Sequence, residues 1–232
     1  MPKEAKIYLA VKWHHEGIKE QLLILGIKEE NIVNVGALLI DLSNRQYFDE
    51  SFLVHAEAET FIDIGCLNGE TARNFIAWAG GKYHHIYCFE ADPHNAEDCR
   101  NRMKELLDDG RMTILEKAVA ARKGTVSFQS CGNGCSKIGE GDMKVETVAL
   151  DDLLANKKPT FIKMDIEGGE YEALKGAEKI IREQHPKLAI SVYHLPRDIF
   201  DIPALILSYY PDYKLYLRHY SPFVEETILY AV

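Results

Sequence analysis

Short apolar runs alternate with amphipathic helical patterns along most of this 232-residue chain, and that alternation does most to restrict its fold. TFIDIG (60–65) reads as a strand and ETARNFIAWAG (70–80) as a helix closed by Gly80 and Gly81. HIYCFEA (85–91) is the next strand, stopped by Pro93. HNAEDCRNRMKELLDDG follows, with Cys99, Met103, Leu106 and Leu107 on one helical face and Gly110 as its stop. RMTILEKAV reads as a third strand. GTVSFQS and MKVETVAL read as further strands around the loop CGNGCSKIGEGD, and a short helix starts at Asp151 or Asp152. TFIKMDI (160–166) is a strand, GGEYEALKGAEKIIREQ one strong helix, KLAISVY (187–193) a strand and DIPALILSYY a helix. YKLYLRHYS and EETILYAV close the chain as two strands joined by a turn containing Pro222.

Strand–helix alternation predicts an α/β fold with a doubly wound, mostly parallel sheet and helices on both faces. Ligands in such sheets sit beyond the carboxyl ends of the strands. That directs attention to Asp63–Gly69, Glu90, Glu116–Ala118, Asp165–Glu167 and Tyr193–His194. Residues 1–46 stand apart. KIYLAV, HHEGIKEQLLILGI and NIVNV form a small β-α extension, whose helix carries Ile18, Leu22, Leu23 and Ile27 on one face. That face needs cover, from the main domain of residues 47–232 or from a second copy in a homodimer. GALLIDLSNRQYFDESFLV reads as a connecting helical region.

Composition removes several function classes. A net charge of -9 argues against a broad nucleic-acid footprint, which needs clustered Lys and Arg. No apolar run approaches a membrane span, and the polar start MPKEAKIYLAV does not read as a signal peptide. Five scattered cysteines, Cys66, Cys88, Cys99, Cys131 and Cys135, show no paired zinc spacing. They suggest free thiols in a reducing, cytoplasmic setting.

The glycine turn carries the first chemical signal. Its spacing is Asp63-x-Gly65-x-x-x-Gly69, with Leu67 where a dinucleotide fingerprint wants glycine and Glu70 in the first helical turn. Glu70 would repel a diphosphate there. No Gly-Lys-Ser/Thr follows, so a P-loop is excluded. S-adenosylmethionine, which has no phosphate, fits better: Asp63 would help hold its ammonium, and Gly65 would admit the ligand to the backbone. Glu90 ends the second strand, where an acid accepts hydrogen bonds from ribose hydroxyls. A ribose belongs to NAD as well, so Glu90 alone does not choose.

FIDIGCLNGET, YCFEADPHN, VETVALDDLL and FIKMDIEGGEYEALKGA resemble, in order and spacing, the FkbM family of S-adenosylmethionine-dependent methyltransferases. The resemblance covers roughly residues 47–232. Its most specific run holds Lys163, Asp165, Glu167, Gly168 and Glu170, followed by Leu174-Lys175-Gly176. It implies a Rossmann-like class I methyltransferase fold, with seven strands of which the last is antiparallel. It also implies O-methylation of a hydroxyl on a sugar, polyketide or related small metabolite. Cofactor contacts are then expected from Asp63, Gly65, Gly69, Glu90 and Ala118. Cys66-Leu67 departs from the Ala-Asn that many members carry, so any contact made by that Asn is in doubt.

Methyl transfer to a hydroxyl needs alignment, exclusion of water and removal of one proton. Asp165, Glu167 and His194 are the candidates for catalysis. Two nearby carboxylates raise one pKa, and imidazole is the commonest base near neutral pH. Lys163 shares the Asp165 face and serves to neutralise it. Glu170 reads as a helix-capping acid. No third carboxylate or amide of convincing placement is visible, so metal-free catalysis is expected, with Mg²⁺ on the Asp165–Glu167 pair, orienting a vicinal diol, as the alternative. His219 ranks below His194, while His14, His15, His84 and His85 are expected to face solvent. The loop Cys131–Cys135 is a possible lid over the acceptor. Two rival readings are an NAD-linked oxidoreductase and a methyltransferase-like fold serving as a non-catalytic interaction module.

Overall fold

The computed structural model describes residues 5–11, 14–36, 40, 42, 45–130, 137–139 and 141–232. Two compact units are present, one of residues 1–46 with 219–226, the other of residues 47–218 with 227–232. In the first, β1 (Ile7–Tyr8) and β2 (Ile32–Val33) pair in parallel across the helix His15–Ile24. None of that helix's described residues is buried, and Leu23 and Ile24 are exposed. His15 is largely covered, against expectation.

The second unit is built on β3 (Glu59–Ile64), whose six residues are all buried. A central parallel strand covered on both faces reads as a continuous apolar run, as TFIDI does. β4 (Tyr83–Phe89) and β5 (Met112–Leu115) extend the sheet on one side of β3. Next come β6 (Ala118–Val119), β7 (Gly124–Gln129), β8 (Lys137–Ile138) and β9 (Met143–Val148), which form a separate four-stranded sheet in the order β6-β9-β7-β8. β10 (Phe161–Met164) and β11 (Lys187–Ser191) continue the main sheet on the other side of β3. β13 (Thr227–Ala231) runs antiparallel to β11, with β12 (Leu215–His219) at the edge. The order β12-β13-β11-β10-β3-β4-β5 is the seven-stranded sheet expected.

Aromatic side chains fill one core. Phe61 stacks on Phe75 at 4.3 Å, and Phe48, Trp78 and Phe161 close around them. An aliphatic core, including Ile62, Ile64, Met164, Leu174, Ile181, Ile190 and Ile206, fills another. Successive strand residues face opposite ways, so Phe61 joins the first core and Ile62 the second.

Three expected elements are divided. RMTILEKAV gives β5 to one sheet and β6 to the other. The helix after Pro93 breaks at Met103 into Pro93–Arg102 and Lys104–Asp108. GGEYEALKGAEKIIREQ becomes two helices, Glu170–Lys175 and Glu178–Gln184. At that last break Gly176 packs so close to the Ala120 carbonyl that an added Cβ would lie 2.2 Å away. Asp151 then restarts the helix from outside, its carboxylate accepting the Lys179 and Ile180 N–H groups at 2.9 Å each. A periodic pattern shows no sign of such a tertiary cap. No helix among the described residues is long and apolar enough to cross a membrane.

Candidate active site

The strand order reverses at β3: the chain runs outward to β4 and β5, then returns to β10 on the other side. A crevice opens at such a switch point, beyond the strand ends. The residues there come from the glycine turn after β3, the end of β4, the turn after β10 and the end of β11.

Both glycines of the turn are explained by the protein itself. Gly65 has φ +76°, and an added Cβ would lie 1.9 Å from the Asp165 carbonyl oxygen. Gly69 has φ +83°, and its Cβ would meet Met103 Cε at 2.6 Å and Cys99 Sγ at 3.0 Å. Gly65 therefore has a reason besides the expected room for a ligand: its Cβ position is taken by the turn after β10. Gly69 caps the helix Glu70–Trp78, and Asn68 Oδ1 accepts the Glu70 N–H at 3.1 Å.

Glu90 fixes this turn to the end of β4. Its two oxygens accept the N–H groups of Leu67 and Asp92, each at 2.9 Å. Burial raises its pKa, and the two backbone donors oppose the shift. Each oxygen accepts a single hydrogen bond, so further acceptor capacity remains on both. Ala118 packs with Phe128 and Val145, and against Ala91, the neighbour of Glu90.

Asp63 differs from expectation. The parallel register sets Lys163 beside Asp63, and the ammonium lies 3.1 Å from Oδ1 with both side chains buried. Asp63 presents no surface to a ligand. Burial pushes its carboxyl up to about 6, against the pull of Lys163. Lys163 Nζ also donates to the Gly65 carbonyl at 2.7 Å. Lys163 thus neutralises Asp63, rather than Asp165 as the strand alternation suggested, and ties β10 to the glycine turn.

Asp165, Glu167 and His194 do converge. His194 Nε2 lies 3.4 Å from Asp165 Oδ1 and 3.5 Å from Glu167 Oε1. Asp165 accepts hydrogen bonds from the hydroxyls of Tyr47 (2.7 Å) and Tyr193 (3.2 Å). Glu167 sits at φ +58°, a left-handed conformation that costs a non-glycine residue about 1–2 kcal/mol and is retained where the surroundings demand it. A fourth group joins them. Glu170 is wholly buried, accepts the Ile166 N–H at 2.8 Å and places Oε1 2.9 Å from His194 Nδ1. Glu170 is a cap, as its position suggests, and also a wall of the site.

This surrounding acid corrects the role expected of His194. Burial lowers its pKa, but Glu170, Asp165 and Glu167 outweigh that and raise it to about 9. An imidazolium at neutral pH is no base. His219 is exposed on β12, His85 is half-buried with Nε2 2.9 Å from Thr113 Oγ1, and the proposed lid Cys131–Cys135 lies outside the described residues. Tyr47 was not found from sequence, because it sits in a segment read as a connecting helix. Glu170 was dismissed as a cap because nothing local shows that the end of β11 folds onto it.

The chain matches the family model described as the methyltransferase FkbM domain over residues 63–220. A solved FkbM methyltransferase from Methylobacillus flagellatus KT is 32% identical, with TM-score 0.72 over 82% of this chain and 48% of that one. The 2-O-methyltransferase NoeI of Sinorhizobium fredii is 29% identical over 52% of this chain and 58% of its own. The hexuronic acid methyltransferase AglP of Haloferax volcanii is 29% identical over 52% of each. The chain thus spans about half the length of the curated relatives it matches. Fibrillarin from Aeropyrum pernix, solved with natively bound S-adenosyl-L-methionine, shares the fold at 13% identity and TM-score 0.53. The matched span, running from the Asp63 turn past the acid-walled end of β10, shows that the chain belongs to the FkbM methyltransferase family.

Proposed function

We propose that the protein is an S-adenosylmethionine-dependent O-methyltransferase acting on a sugar hydroxyl. The observation that carries this reading is the pairing of two different strand-end sites at one switch point. One is a glycine turn stapled by Glu90; the other is an acid cluster around Asp165. The names of the two curated relatives, a 2-O-methyltransferase and a hexuronic acid methyltransferase, support a sugar as acceptor.

The residues fit the cofactor. Glu90 keeps acceptor capacity for ribose hydroxyls, and Leu67 and Asp92 hold its carboxylate in place. Glu70 sets no penalty, since the ligand carries no phosphate. When bound, S-adenosylmethionine supplies an electrophilic methyl group.

The acceptor side is the work of the chain's own groups. Asp165 is oriented by the hydroxyls of Tyr47 and Tyr193, one on each oxygen, and both oxygens keep further acceptor capacity. His194 carries its proton at neutral pH and offers positive charge. Glu167 is the candidate base. A third of its side chain is exposed, and His194 Nε2 lies 3.5 Å from its carboxylate. It would take the hydroxyl proton as the new O–C bond forms. Incubating the protein with S-adenosylmethionine and a panel of sugars and uronic acids, read by mass spectrometry, tests the reading. Addition of a methyl group to a hydroxyl is expected. Cofactor binding with no methylated sugar in the panel would remove the sugar from the proposal.

A further inference from the structure

We infer that Asp165, Glu170 and His194 form a binding site for one divalent cation with a preference for oxygen ligands, Mg²⁺ or Mn²⁺. One ligand atom from each lies within 4.8 Å of the other two, the spacing of a shared ion. The sequence hid this set, because its third member looks like an ordinary helix cap.

Proximity of acids is not enough, and two further observations point to a ligand. Glu170 has no exposed surface, yet its Oε2 has no hydrogen-bond partner. A buried carboxylate oxygen without a donor costs several kcal/mol in general, so such groups are paired or bind metals. His194 is the second. Its side chain is 8% exposed, and neither ring nitrogen makes a hydrogen bond, although Nδ1 lies 2.9 Å from Glu170 Oε1. The two groups touch without the alignment of a hydrogen bond. An ion between them would take the place of the proton that His194 otherwise carries, and would satisfy both.

The donor set chooses among metals. Two carboxylates and one imidazole, with the Glu167 carboxylate 3.5 Å from His194, give a mainly oxygen site. Hard cations prefer such a set, and Mn²⁺ accepts the imidazole more readily than Mg²⁺. Among the described residues no thiolate, which would favour zinc or copper, belongs to the cluster.

The role of the ion rests on the methyl-transfer reading, whereas its binding does not. Bound at Asp165, the cation would take the acceptor hydroxyl as a further ligand and lower its pKa. Glu167 would then receive the proton. The oxygen's electron pair forms the bond to the methyl carbon, and the pair of the breaking carbon–sulfur bond goes to sulfur. A vicinal diol, common in sugars, could supply two ligands and fix its own orientation.

The test is calorimetric titration of the chelator-treated full chain with Mn²⁺ alone, followed by Mg²⁺. One ion per chain is expected. Glu170→Gln, and separately Asp165→Asn, should weaken Mn²⁺ binding at least about 100-fold, the upper end of what outer partners alone contribute. Asp165 is partly exposed, so its variant stays informative if the buried Glu170→Gln fails to fold. No Mn²⁺ binding at millimolar concentration, or binding unchanged in a folded Asp165→Asn variant, would overturn the inference. A parallel S-adenosylmethionine titration separates the two ideas. Cofactor binding without Mn²⁺ binding overturns the cation site and leaves the methyltransferase standing. Mn²⁺ binding without cofactor binding does the reverse.

Discussion

Asp63 and Asp165 are the same residue type at the ends of neighbouring parallel strands, yet they do opposite things. Asp63 is sealed in, with Lys163 as its register neighbour and no open surface. Asp165 lies one step past the end of β10, half-open, under two tyrosine hydroxyls and a histidine. Two positions of strand advance separate a structural ion pair from a group that can touch substrate. Side-chain chemistry is common to both; burial and the neighbouring register decide the use. Glu59 repeats the first case at the other end of β3, paired with Lys187 at 2.8 Å.

If the open end of β10 carries the reaction, Glu167→Gln should show the largest effect. Turnover should fall ~10²–10⁴-fold, the usual worth of a general base. S-adenosylmethionine affinity should stay the same. Full turnover in that variant would move the base elsewhere and weaken the contrast.

The sealed end should fail differently. Lys163→Met leaves a buried carboxylate without its cation, which typically costs 3–5 kcal/mol of stability. The double change Lys163→Met with Asp63→Leu should recover part of this loss. Denaturant unfolding of the two single variants and the double measures the coupling. Additive losses would show that the pair is not the unit described.

Glu90 lies between these extremes, since it fixes the turn and, in the proposed function, also accepts from the cofactor. Glu90→Ala should weaken S-adenosylmethionine binding by ~1.5–3 kcal/mol, the range for hydrogen bonds to a charged group. Calorimetry on the folded variant checks it, and unchanged affinity would reduce Glu90 to a staple for Leu67 and Asp92.

Much of this molecule was legible because its signals are local. β3, β4, β10 and β11 announce themselves as apolar runs between turn residues, and their ends mark the site. Glu90 and Asp165 stand out as candidates from strand position alone. What the sequence hid depends on contacts between distant segments. Gly65 reads as a ligand cradle, and nothing local tells that the Asp165 carbonyl also requires a glycine there. Glu170 looks like a cap until His194 packs beside it. Tyr47 reaches Asp165 across 118 positions of sequence, and no periodicity reports that. His194 is the sharpest case: its strand-end position is readable, but its proton affinity is set by three acids that only the fold assembles.

The central claim is that the turn after β3, stapled by Glu90, holds S-adenosylmethionine. Calorimetric titration of the full chain with S-adenosylmethionine and, separately, with NAD tests it most directly. The account predicts saturable micromolar binding of S-adenosylmethionine and none of NAD. Binding of NAD with no response to S-adenosylmethionine would contradict it.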